Sequence, residues 1–232
     1  VNLKFKKLNF YFLTKDNNRK IHVKKEFSDF NLKEVNPNTE DFDNNQLNKN
    51  RSGISGHLKI LDLGCKEQLR NTAFQPFIVL EDDVKKYIEF PESINIPDDT
   101  DILFIGLSTW GILNTDIGID NSIMYEDINE NIIRIYNMLS THGYIICSAR
   151  GALLLGKAYM EGYINNRTIW DVNFAQIQPY CNTYALKIPL VYQCKEFGGD
   201  EGPTKITIDN IVKNNVDSNY FNKSSVAIQT NY

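Results

Sequence analysis

The chain has 232 residues, long for one domain and short for two, and a fold of that size buries enough surface to stand without disulfides or a structural metal. Its formal net charge of −4 excludes the broad excess of Lys and Arg that displaces counterions from nucleic acid. The cysteines (Cys65, Cys147, Cys181, Cys194) form no CxxC pair and no CxxC…HxxxH spacing, which excludes the common zinc and redox motifs and leaves free thiols in a reducing compartment, the cytoplasm, as the expectation.

In chain order, residues 8–13 (LNFYFL) read as a buried aromatic strand, and the polar run 14–19 as the loop leaving it. Residues 19–28 follow as a short amphipathic helix, with Ile21, His22 and Phe27 on its inner face. Residues 35–52 have few apolar side chains and read as a flexible loop, after which Ser52 or Ser55 caps a helix carrying Leu58, Leu61, Leu63 and Leu69. Strands are expected at 76–81, 101–106 and 143–147, with Ser148 capping a helix to about Met160. Thr168 starts another helix, WDVNFAQIQ, which ends at Pro179. Two short strands split by Pro189 come next, and residues 195–232 form a polar C-terminal segment. Strands alternate with helices throughout, which predicts one α/β domain over 1–232 with a mainly parallel central sheet flanked by helices. No run approaches the roughly 18 apolar residues of a membrane span, so no integral membrane segment is expected.

The stretch PFIVLEDDV carries the chemistry. A run of apolar strand residues ends in Glu81, Asp82 and Asp83, three like charges that repel one another. Ligands of open α/β sheets bind outside the carboxyl ends of the strands. Alternation along the chain sends Glu81 and Asp83 to one side and Asp82 to the other. Two hard carboxylates with room for water and phosphate oxygens suit Mg²⁺ or Mn²⁺. The same triplet also suits a plain helix start, where acidic side chains meet the positive end of the dipole.

Beyond this triplet stand SGHLKIL upstream and YIICSARGALLL, WDVNFAQIQ and NTYALKIPLVYQ downstream. In this order and spacing they resemble glycosyltransferase family 25, the lipooligosaccharide and procollagen galactosyltransferases, over about residues 8–194. Leu80 to Val84 match the family's LEDDV, and Tyr144, Gly151, Ala152, Asp171, Tyr184, Pro189 and Gln193 match later positions. Gly56 departs from the pattern by standing before His57 where the family has serine. The resemblance implies a GT-A-like (Rossmann-like) fold and a UDP-sugar donor, with Mn²⁺ or Mg²⁺ held against the diphosphate. It also implies inverting transfer of galactose or glucose to a glycan or hydroxylysine-type acceptor on a protein.

On chemical grounds Glu81 and Asp83 are then the metal ligands, and Asp82 orients the donor or binds through water. An inverting transfer needs a base on the acceptor hydroxyl, and Asp171 is the candidate; a first-turn helix acid is its plainer role. Thr14 and Arg19 after the first strand, and His57, are expected to meet the donor, while Lys205 beyond GGDEGP is placed to close over phosphates or to be a solvated lysine. Two other classes compete: a nucleotide-sugar or carbohydrate-binding module without turnover, and a Mg²⁺-dependent phosphotransferase. The second lacks any GxxxxGK[ST] loop.

Overall fold

The computed structural model describes residues 1–38, 46–68, 73–112, 123–165 and 169–198. The first half contains β1 (Asn2–Lys4), β2 (Asn9–Leu13), α1 (Asn17–Glu26), β3 (Asn31–Val35), α2 (Gln46–Gln68), β4 (Phe77–Leu80), β5 (Val84–Lys86), β6 (Ser93–Asn95) and β7 (Ile102–Phe104). Then come β8 (Met124–Asp127), β9 (Ile132–Asn137), β10 (Gly143–Ile146), α3 (Ala149–Asn165), α4 (Trp170–Ile177), β11 (Thr183–Leu186) and β12 (Val191–Gln193).

One large sheet has the order β3-β2-β4-β10-β7-β11-β9-β8, and β1–β6 and β12–β5 form small antiparallel pairs. Strands β3, β2, β4, β7, β11 and β8 point one way, β10 and β9 the other. The expected α/β class with flanking helices stands, but the mainly parallel sheet is corrected to a mixed one. One physical reason is visible at β8 and β9, which are joined by residues 128–131, a link too short for the crossover that parallel neighbours need.

Successive strand side chains face opposite layers. Tyr11, Leu13, Phe77 and Val79 enter the layer where α2, α3 and α4 supply Ile54, Ile60, Leu155, Tyr159 and Phe174. Phe10, Phe12, Ile78 and Leu80 enter the other, with Val23 and Phe27 from α1 and its end. Helices α1 and α2 therefore lie on opposite faces of the sheet. Helix starts follow their capping chemistry. The Asp16 carboxylate accepts from the Asn18 and Arg19 N–H groups at 2.7 and 3.0 Å, and the Ser148 hydroxyl accepts from the Gly151 N–H at 2.9 Å.

Several expectations shift. Ile21 is 64% exposed, and Val23 takes the inward place on α1. Ser52 and Ser55 lie inside α2 rather than at its start, so residues 46–52 of the expected 35–52 loop are helical, Val35 belongs to β3, and residues 39–45 lie outside the described residues. Leu61 is buried as expected, Leu63 is exposed, and Ile54 and Ile60 join the buried stripe of α2. Strand β3 was hidden by its charged residues, since Lys33 and Glu34 keep their charged ends outside and pair with Glu67 and Lys20. Thr168 and Leu69 lie outside the described residues, as does the C-terminal segment beyond Gly198. All four cysteines are free. Among the described residues, no helix is long and apolar enough to cross a membrane.

Candidate functional site

Strands β2 and β4 are parallel neighbours, yet the chain leaves β2 through α1 on one face and reaches β4 through α2 on the other. Connections that diverge in this way open a crevice at the strands' carboxyl ends. A cleft of about 480 Å³ occupies that place. The loop after β2 lines it with Thr14, Lys15, Asp16 and Arg19, and the turn after β4 with Glu81, Asp82 and Asp83. Helix α2 contributes Lys49, Ser52, Gly53 and His57, α4 contributes Trp170, and β12 contributes Gln193. A second cavity, about 510 Å³, lies at the opposite end of the sheet beside Asp101, whose carboxylate is already occupied by Arg150, Ser148 and the Asn182 N–H.

The three neighbouring acids are handled in three different ways. Asp82 turns to Arg19, whose guanidinium donates to it at 2.9 Å and also to the Phe197 carbonyl. Glu81 Oε1 accepts from the Thr141 hydroxyl at 2.6 Å and the Trp170 indole N–H at 3.0 Å, and His57 Nε2 stands 3.5 Å away. Asp83 Oδ2 accepts from the Gln193 amide at 3.2 Å, and that same amide nitrogen lies 3.4 Å from Glu81 Oε2. Glu81 and Asp83 thus meet the same Gln193 amide while Asp82 turns to Arg19, an arrangement set by the turn after β4 and not by strand alternation. Asp83 is 9% exposed, and its Oδ1 has no hydrogen-bond partner among the described residues. Burial, then the charges of Glu81 and Asp82, push the Asp83 carboxyl up to about 7.

Behind the wall, Asp171 follows Trp170 at the start of α4 but does not itself line the cleft. It meets the same Thr141 hydroxyl that bonds Glu81. One hydroxyl carries one proton, so both contacts hold only if one of the two carboxyls keeps its own. Burial and then the Glu81 charge raise Asp171 to about 6, and burial raises Glu81 as well. His57 is fully buried with Nδ1 2.9 Å from the Tyr144 hydroxyl, and burial lowers it to about 4, so it is neutral near pH 7.

Of the residues singled out in the sequence, Thr14, Arg19, His57, Glu81, Asp82 and Asp83 come together in this cleft. Asp171 stands one hydrogen bond behind it, and Lys205 lies outside the described residues. Thr14 faces inward mainly to hold the loop, since its hydroxyl accepts from the Asp16 N–H at 3.2 Å and donates to the Asp16 carbonyl at 3.1 Å. Sequence reasoning missed the cleft roles of Lys15, Lys49, Gly53, Thr141 and Gln193. Gly53 had a physical signal, since a small residue within a helix marks close approach. A Cβ there would sit 2.5 Å from the Trp170 ring.

The residues fit a hard dication in one mode. Among the described residues, no group of three or more His, Cys, Asp and Glu side chains is arranged to hold an ion. Glu81 and Asp83 supply two carboxylates, and the unpartnered buried Asp83 Oδ1 is an oxygen such an ion would satisfy. The remaining positions would fall to water and ligand oxygens, the pattern Mg²⁺ favours. Compared with protein-family models and with curated proteins, the chain gives no match.

Proposed function

We propose that the chain is a metal-dependent inverting glycosyltransferase that moves galactose or glucose from a UDP-sugar to a hydroxyl of a glycan or of a hydroxylysine-type protein acceptor. The observation that carries this reading is the buried, unpartnered Asp83 Oδ1 in a cleft at the crevice between β2 and β4. The unit β2–α1–β3–α2–β4, with helices on opposite faces, is what a Rossmann-like, GT-A-like nucleotide site requires.

Each residue then has a definite task. Glu81 and Asp83 would hold Mn²⁺ or Mg²⁺, and the ion would supply positive charge to offset the negative charge that develops on the leaving diphosphate. Lys15, Arg19 and Lys49 line the same cleft and offer further positive charge to phosphate oxygens. Trp170 is fixed through its N–H to Glu81 and Thr141, which leaves a rigid aromatic wall beside the sugar. Asp171 is the base: a carboxyl raised to about 6 is basic enough to accept the acceptor's proton near neutral pH, and with Glu81 ionised on the metal the Thr141 hydroxyl donates to only one of the two.

A binding module without turnover is favoured by one observation, that Asp171 does not line the cleft. A screen of UDP-hexoses for UDP release with Mn²⁺, Mg²⁺ or chelator separates the readings. The enzyme reading expects release that needs the cation and is lost in a folded Asp83→Asn variant. UDP binding by calorimetry without release under any metal or acceptor condition would leave the module, and release in chelator would remove the metal role.

A further inference from the structure

The side chain between the two carboxylates is an amide. Gln193 sits on β12, which pairs with β5 so that Gln193 lies opposite Val84, one residue past the acidic turn. The next residue fastens the backbone to the turn, since the Cys194 N–H donates to the Asp83 carbonyl at 2.8 Å. From this fixed position Gln193 Nε2 reaches Asp83 Oδ2 and Glu81 Oε2 at 3.2 and 3.4 Å. It stands beside the place that an ion held by the two acids would take, close enough for either end of the amide to face it.

A glutamine amide has two chemically opposite ends: the NH₂ group only donates and the carbonyl oxygen only accepts. Two carboxylates with nothing else between them call for the NH₂ end. A dication between the same carboxylates repels that end and attracts the oxygen, and carbonyl oxygens are good ligands for Mg²⁺ and Mn²⁺. The terminal torsion of glutamine is broad and roughly two-fold, so a half-turn exchanges the ends while the stem stays packed. The unpartnered Asp83 Oδ1 is the one acceptor that the amide, as placed, leaves unserved.

We propose that Gln193 is an exchangeable third member of the cation site: without an ion its NH₂ group holds Glu81 and Asp83 together, and with Mn²⁺ or Mg²⁺ its Oε1 turns in as a ligand. This rests on the metal-binding part of the function proposed above. It adds a neutral ligand to a site whose carboxylates alone number two, and it gives the ion-free cleft a shape close to its loaded one.

The test is Mn²⁺ titration of the full chain, reading free ion by electron paramagnetic resonance, with no donor or acceptor present. Gln193→Leu removes both ends of the amide and is expected to weaken Mn²⁺ binding by about tenfold or more. Gln193→Glu keeps an oxygen at the same reach, so it binds Mn²⁺ at least as tightly as the native chain, while its ion-free form melts earlier because a third acid joins the pair. Equal or tighter binding by Gln193→Leu would show the amide to be a competitor of the ion and would overturn the inference, leaving the proposed activity standing. Should Gln193→Leu not fold, loss of binding in Gln193→Glu overturns it equally. A native chain that releases UDP from a UDP-sugar but binds no Mn²⁺ or Mg²⁺ removes the inference and the metal together, without removing the transferase.

Discussion

His142, which is buried, and Asp171, which is half-buried, are titratable groups behind the cleft, and their pH effects have opposite sign. His142 is 4% exposed, with Nδ1 3.3 Å from the Ser140 hydroxyl and its ring filling the space that a side chain at Gly106 would need. Burial lowers it from 6.5 to about 4. A group depressed on folding contributes stability that is full above its unfolded value and is lost as pH falls through its folded one, so His142 weakens the fold between pH 6.5 and 4. Asp171, raised from 3.8 to about 6, contributes stability below 3.8 that is lost as pH rises through 6. The two partly cancel in the native chain, so the informative quantity is a difference between variants. His142→Gln keeps a similar volume without a titrating group. Its deficit against the native chain at pH 7 should shrink by on the order of 2–3 kcal/mol by pH 4. Urea unfolding at several pH values checks this, and curves that stay parallel would mean that His142 is not held neutral.

At the scale of elements, what the sequence disclosed depended on how local the physics was. The acidic end of β4 was legible because composition changes abruptly from four buried apolar residues to three acids. The Ser148 cap and the helix from Trp170 were legible for the same reason, as a few neighbouring residues settle them. Gln193 was not, because its place beside Asp83 depends on the β12–β5 register across 110 positions of chain. Thr141 was not either, since nothing in LSTHG says which carboxylates its hydroxyl will meet. Helix α3 shows how packing separates residues of one type. A Cβ on Gly151 would lie 2.6 Å from the Asp101 carbonyl oxygen, and that backbone is tied down by the Cys147 N–H at 2.8 Å. A Cβ on Gly156 would lie 3.7 Å from Leu61 Cδ1, an ordinary contact. Gly151→Ala should therefore destabilise by about 1–3 kcal/mol through overpacking. Gly156→Ala should stabilise by about 0.5–1 kcal/mol through lost unfolded-state freedom and better helix propensity. Denaturant midpoints at unchanged slope read both, and matching signs for the two would defeat the packing argument.

At the scale of the molecule, the alternation of strands and helices disclosed the class but not the sheet's directions, because β10 reverses through pairings with β4 and β7 that are made far from its own sequence. What the whole fold does is set one cleft between opposed layers and leave the second cavity with its charges already matched. That difference is measurable without knowing the acceptor. A ligand that binds only the folded chain stabilises it by about 2.7 kcal/mol at a hundred times its dissociation constant. In a chain of this length each kcal/mol raises the melting temperature by about 2–4 °C. On the proposed function, saturating UDP with Mn²⁺ should therefore raise it by about 5–10 °C, more than the sum of either alone, because diphosphate oxygens would complete the coordination that Glu81 and Asp83 would begin. Asp83→Asn should remove the Mn²⁺-dependent part of the shift. Asn182→Ala, which removes a side chain that lines the second cavity and not the cleft, should change the starting temperature but leave the shift intact. A shift lost in Asn182→Ala and kept in Asp83→Asn would move the nucleotide site to the other end of the sheet.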